Sequence, residues 1–127
     1  MTVRILVVDD ESDVEMLFRQ QFRRELRDGR FTMEFALSAE EALAKVRTTD
    51  GDTIILMVSD INMPGMSGLD LLPLIKADRP DLPVVMITAY GDANTRTAAL
   101  QRGADGLLTK PVDFGALRAE VQARLAA

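Results

Sequence analysis

The chain contains no cysteine and no histidine, and only one tyrosine. Without cysteine there is neither a disulfide framework nor a thiolate metal site. Without histidine, zinc chemistry of the usual kind and a Ser-His-Asp triad are both excluded. A basic excess is missing as well: 15 Lys and Arg stand against 20 Asp and Glu, a formal net charge of −5. That balance argues against a dedicated nucleic-acid binder. Arg19, Arg23, Arg24, Arg27 and Arg30 do cluster, and read more readily as a solvated helix face than as a binding patch. No apolar run approaches the ~18 residues that a membrane span requires. Residues 1–8 run directly into a strand pattern, so no signal peptide is expected and the expected location is the cytoplasm.

What is present is a chain of 127 residues with 47% apolar side chains, enough for one continuous core and one domain over 1–127. Short apolar runs alternate with amphipathic stretches. Residues 3–8 form a buried strand pattern interrupted only by Arg4. Ser12 and Glu15 have capping-box spacing, Val14, Leu17, Phe18 and Phe22 recur at helical spacing, and Gly29 follows the helix end. Met16 falls off that apolar face and reads either as an exposed apolar contact for the phosphodonor protein or as a peripheral core residue. A second strand spans 31–37, and Ser38 with Glu41 opens a second helix reaching about Arg47. Asp50, Gly51 and Asp52 read as a turn. A third strand covers 54–58, a loop 62–68 and a helix 69–77, with Pro73 expected to kink that helix or force a short, imperfect first half. The fourth strand spans 84–87. A helix over 94–102 stops at Gly103, Leu107 and Leu108 belong to a short fifth strand, and Asp113 caps a final helix ending near Leu125.

Strict alternation of five strands with helices predicts an α/β fold: a doubly wound, five-stranded parallel sheet with helices on both faces. Right-handed crossovers favour the flavodoxin-like strand order 2-1-3-4-5.

Ligands of open parallel sheets bind beyond the carboxyl ends of the strands. Asp9, Asp10 and Glu11 follow the first strand, Ser59, Asp60 and Asn62 the third, Thr88, Ala89 and Tyr90 the fourth, and Thr109, Lys110 and Pro111 the fifth. Singly, each has a plain structural role: Asp9 and Asp10 as helix caps, Asp60 as a turn residue, Thr88 as a strand end, Lys110 as a solvated lysine. Convergence is what those roles leave unexplained. Crowded carboxylates repel one another unless a cation joins them. Mg²⁺ (or Mn²⁺) prefers such oxygen ligands, and Lys110 adds a second positive charge. The combination suits a phosphoryl group. Asp60, following the central strand, is the best-placed nucleophile, with Lys110 and the Thr88 hydroxyl able to meet phosphoryl oxygens.

The segments Ile5-Leu6-Val7-Val8-Asp9-Asp10-Glu11, Ser59-Asp60-Ile61-Asn62-Met63-Pro64-Gly65-Met66-Ser67-Gly68, Thr88-Ala89-Tyr90 and Gly103-Ala104-Asp105 through Leu108-Thr109-Lys110-Pro111 closely resemble the receiver domains of two-component response regulators. Together they cover essentially the whole chain. The resemblance implies a (βα)5 receiver fold and a signalling rather than enzymatic role. It implies that Asp60 takes phosphate from a sensor histidine kinase or histidine phosphotransfer protein. It also implies Mg²⁺ at Asp10, Asp60 and the Asn62 backbone carbonyl, with Asp9 acting largely through water. Lys110 would contact phosphate and Thr88 would switch. A cis Lys110-Pro111 bond is frequent in the family, and an X-Pro bond lowers its energetic cost. The resemblance further implies a downstream effector or fused output domain, no direct contact with nucleic acid or membrane, and a homodimer through the fourth and fifth helices and the fifth strand. Whether the receiver acts alone or within a larger regulator stays open.

One departure concerns the switch. Leu107 stands where receivers commonly carry Tyr or Phe, so the Thr88–Tyr90 loop is expected to carry the change instead. Three other readings fit less well. An aspartyl-nucleophile Mg²⁺ phosphatase would want a second Asp where Asn62 stands. A nucleotide or flavin module would want a glycine-rich loop after the first strand. A pseudo-receiver would not need the complete acidic set with Lys110.

Overall fold

The computed structural model describes residues 2–48, 51–89 and 91–126. Five strands, β1 (Arg4–Val8), β2 (Thr32–Ala36), β3 (Ile54–Asp60), β4 (Val84–Thr88) and β5 (Gly106–Thr109), pair in parallel in the order β2-β1-β3-β4-β5. The expected strand order and doubly wound α/β class are both present. Among the described residues six helices accompany them, five between strands and one after β5: α1 (Asp13–Gln21), α2 (Arg23–Arg27), α3 (Ala39–Val46), α4 (Gly68–Asp78), α5 (Ala93–Gln101) and α6 (Phe114–Ala126). A short 3₁₀ turn spans Gly51–Thr53; Asp50 of the expected turn lies outside the described residues.

The period-2 alternation of β1 assigns the two core layers. Ile5 and Val7 face Phe18, Phe22, Leu117 and Val121, the layer of α1 and α6. Leu6 and Val8 face Ala42, Val46, Leu71 and Ile75, the layer of α3, α4 and α5. A register irregularity beside Arg4 and Ile5 leaves Ile55 as an extra residue in β3. Ile54 and Leu56, two residues apart, therefore serve opposite core layers, as a bulge requires.

Helix ends follow the sequence in most places. Gly29 (φ 72°) and Gly103 (φ 104°) adopt the left-handed backbone, which needs no Cβ to be displaced. Each closes its helix with paired bonds: Arg30 N–H to the Glu25 carbonyl with Gly29 N–H to that of Leu26, and Ala104 N–H to Ala99 with Gly103 N–H to Leu100. Ser38 Oγ accepts from the Glu41 N–H at 3.1 Å, while the Glu41 carboxylate accepts from the Leu37 N–H. Asp113 accepts from the Ala116 N–H as expected.

Two expectations about the first helix need correction. Ser12 makes no side-chain cap; its own backbone is already helical, and its carbonyl accepts from the Glu15 N–H. The Glu15 carboxylate instead pairs with Arg19. The first helix is also interrupted for one residue at Phe22 (φ −108°, ψ 18°). Phe22 is fully buried beside the rings of Phe18, Phe31 and Phe114. Packing of that ring sets its backbone, overriding local helix preference.

Pro73 leaves α4 continuous over Gly68–Asp78. Its missing N–H would have bonded the Leu69 carbonyl. Arg102, at the end of α5, supplies the substitute: Nη1 donates to the Leu69 carbonyl at 2.8 Å and to Asp70 Oδ1 at 3.3 Å. Arg102→Ala is expected to cost about 1 kcal/mol, since the donor is charged but partly solvated. In a Pro73→Ala background the restored N–H takes over the carbonyl, and most of that loss should vanish. A double-mutant cycle by urea unfolding measures the coupling; additive effects would contradict this pairing.

Candidate functional site

The parallel register brings four strand ends to one edge. Val8 aligns with Ser59, Asp60 with Ile87, and Thr88 with Thr109. Asp9 leaves β1 there, Asp60 is the last residue of β3, Thr88 the last of β4, and Lys110 follows β5. The third strand thus runs two residues beyond the expected 54–58. Ser59 and Asp60, 0% and 3% exposed, are held in the sheet by pairing to β4.

Carboxylate oxygens of Asp9, Asp10 and Asp60 lie within 4.8 Å of one another. Lys110 Nζ donates to Asp60 Oδ2 at 3.2 Å, and the Asn62 N–H donates to Asp60 Oδ1 at 3.2 Å. Lys110 is itself fixed through its own N–H, which donates to the Thr88 carbonyl at 2.8 Å. The Lys110-Pro111 bond is cis. Thr88 is fully buried, and the Asn62 side-chain amide reaches its hydroxyl at 3.4 Å. Asp9, Asp10, Asp60, Asn62, Thr88 and Lys110 therefore come together as the sequence predicts. Leu107 is partly buried, pairs in register with Met86 and packs against the α3–α5 layer. Tyr90 lies outside the described residues.

Electrostatics reflect the crowding. Burial pushes the Asp9 carboxyl above its ordinary value, opposed by the Glu11 N–H that donates to it at 2.9 Å, and reinforced by Asp60 and Asp10. Burial alone would lower Lys110, but its hydrogen bond to Asp60 and the charges of Asp60, Asp9 and Glu11 outweigh this and hold it above its ordinary value. Lys110 thus stays an ammonium at neutral pH. Three acidic oxygen donors with one fixed cation suit a hard divalent ion better than any softer metal.

Sequence reasoning missed one member of the site. Gly68, the first residue of α4, donates to the Ile61 carbonyl at 2.9 Å. A Cβ there would lie well inside contact with the Asp60 carbonyl oxygen and 2.9 Å from Ile61 Cα. Its signal was its place at the end of the expected loop 62–68, which carries no indication of how closely two backbones approach. Beside the carboxylates, an apolar groove of about 270 Å³ runs between Val14 and Leu17 of α1 and Pro111, Val112 and Phe114. Met16 is 77% exposed, so it is not a peripheral core residue.

Residues 5–122 match the response regulator receiver domain family. The chain belongs to that family. It is 36% identical to the response regulator MprA of Mycobacterium ulcerans over 125 residues, 98% of this chain and 51% of that protein. It is 40% identical to the response regulator protein PilR of Pseudomonas aeruginosa over 91% of this chain and 24% of that one. The chain thus spans about half, or less, of these relatives. Among solved structures, a CheY-like receiver domain protein from Methanospirillum hungatei superposes with a TM-score of 0.85 at 29% identity, covering 99% of this chain and 95% of the other. A receiver domain protein from Clostridium thermocellum gives 0.84 at 30%, covering 98% and 94%. This receiver is accordingly a signalling domain of the two-component type. Among the described residues, no helix is long and apolar enough to cross a membrane.

Proposed function

We propose that Asp60 accepts a phosphoryl group from the phosphohistidine of a sensor histidine kinase or histidine phosphotransfer protein. The observation that carries this reading is a buried carboxylate, Asp60, held between the Lys110 ammonium and the Asn62 N–H beside two further carboxylates. An Asp60 oxygen attacks phosphorus, the P–N bond to the donor imidazole breaks, and an acyl phosphate remains. The freed imidazole nitrogen keeps the electron pair of that bond. Lys110 neutralises charge on the transferred group, and the Thr88 hydroxyl donates to another of its oxygens. Mg²⁺ (or Mn²⁺) would be held by Asp10, Asp60 and the Asn62 carbonyl, with Asp9 largely through water. When bound, it would supply positive charge to offset that of the acidic cluster and the transferred group.

The groove between α1 and the Pro111–Phe114 segment borders Asp9 and Lys110. It offers apolar surface on which a donor helix can settle within reach of Asp60, and the exposed Met16 adds apolar surface on another face of α1, beside Glu15 and Arg19. On the output side, movement of Thr88 toward the phosphoryl group biases a pre-existing second state of the Thr88–Tyr90 loop and the start of α5. Leu107, lacking a ring and a hydroxyl, follows only weakly. The altered face of α5, β5 and α6 then engages an effector, a fused output domain or a second receiver. A cytoplasmic location accords with such partners.

Acetyl phosphate with Mg²⁺ is expected to add a single phosphoryl group, read by intact mass, and Asp60→Asn is expected to abolish it. Labelling of Asp60→Asn at the wild-type rate would defeat the assignment.

A further inference from the structure

The far end of α1 from the carboxylates carries a second concavity that phosphotransfer does not use. The interruption at Phe22 separates α1 from α2, and between these helices and α6 lies a groove of about 540 Å³. Its lining is entirely polar or charged: Arg23, Arg24, Arg30 and Arg118, with Glu25 and Asp28 and three glutamines. Four arginines against two carboxylates give a local positive excess on a chain whose net charge is −5.

Arg118 is fixed in place. Its Nε donates to Glu25 at 2.8 Å, its Nη2 donates to the Gln21 carbonyl, and its guanidinium lies 4.9 Å over the Phe22 ring. Glu25 is thereby occupied. Burial would raise its carboxyl, but Arg118, with help from Arg30, holds it below the ordinary value. Arg23, Arg24 and Arg30 are exposed and make no ion pair among the described residues.

We propose that this groove binds a small oligophosphate anion through Arg23, Arg24 and Arg30, arranged around the fixed Arg118. Guanidinium forks match phosphate oxygens in pairs, and the volume falls within the usual range for small-ligand sites. A peptide held by an apolar anchor would find no pocket in this lining. No aromatic ring lines the groove to stack a base, so recognition rests on the phosphates. Inorganic pyrophosphate and ADP are therefore expected to bind comparably.

The test is a titration of the ¹⁵N-labelled chain with pyrophosphate in EDTA, followed by amide shifts. Saturable changes at 20–30 and 118–122 are expected, with ADP similar and sulfate at equal ionic strength weaker. Arg24→Gln/Arg30→Gln should weaken binding about tenfold or more, while labelling by acetyl phosphate stays unchanged. Absence of saturable shifts, equal shifts with sulfate, or undiminished binding by the double variant would overturn the proposal. So would binding confined to duplex DNA.

Discussion

Gly68→Val is expected to lower stability by about 3 kcal/mol, a fall in melting temperature on the order of 10 °C, and to suppress labelling of Asp60 in the fraction that remains folded. Helix propensity points the other way. Gly68 begins α4, and Gly→Ala inside a helix ordinarily gains up to about 1 kcal/mol. Space decides the sign here. A Cβ meets the Asp60 carbonyl oxygen and Ile61 Cα, both backbone atoms of the strand end that carries the acceptor, and lies 2.8 Å from Met86 Cε. The methionine can move aside; the backbone cannot without shifting Asp60 itself. Gly68→Ala should show the same direction at smaller size. Gly65→Ala is the control: its neighbourhood is open and only its φ of 74° is strained, so about 1 kcal/mol is expected with Asp60 labelling retained. Thermal melts and intact-mass labelling read both quantities. A Gly68→Val protein as stable and as readily labelled as wild type would show that this close approach does not constrain the site.

Mg²⁺ is expected to stabilise wild type by about 2.7 kcal/mol at a concentration one hundred times its dissociation constant, and to stabilise Asp10→Ala far less. In EDTA the order reverses, with Asp9→Asn and Asp10→Ala melting above wild type, because each removes repulsion within the 4.8 Å carboxylate cluster. The pH dependence has a definite sign. Burial and the neighbouring carboxylates raise Asp9 above 3.8, so the metal-free folded state holds the proton more tightly than the unfolded chain. Stability is then highest below pH 3.8 on this account, and falls as pH rises from there through the raised folded value. The advantage of Asp9→Asn over wild type should therefore be present at neutral pH and disappear in acid. Urea unfolding in EDTA across that window provides the measurement. Equal Mg²⁺ shifts in wild type and Asp10→Ala would remove the metal assignment, and an Asp9→Asn advantage independent of pH would remove the electrostatic one.

By itself the sequence determined the alternation of strands and helices, the strand order and the set of residues at the carboxyl edge. These depend on short-range facts: apolar runs such as 54–58, the left-handed glycines Gly29 and Gly103, the Ser38 and Asp113 caps, and a parallel connectivity that sends every strand end to one side. The family motifs added the identity of the site, because Asp9, Asp10, Asp60, Thr88 and Lys110 each sit at a strand end that the topology brings together. Tertiary structure alone decided what depends on atoms distant in sequence. The Phe22 interruption comes from the burial of its ring among Phe18, Phe31 and Phe114, which no local propensity records. The absent Ser12 cap shows that a capping-box pattern permits a bond without compelling it. Pro73 is tolerated because Arg102, 29 residues later, reaches back to the Leu69 carbonyl. Gly68 is required by the approach of one backbone to another, and the arginine groove exists because α6 crosses the point where the first helix breaks. In each case the deciding partner is brought close only by folding, and its distance and direction, not its residue type, set the outcome.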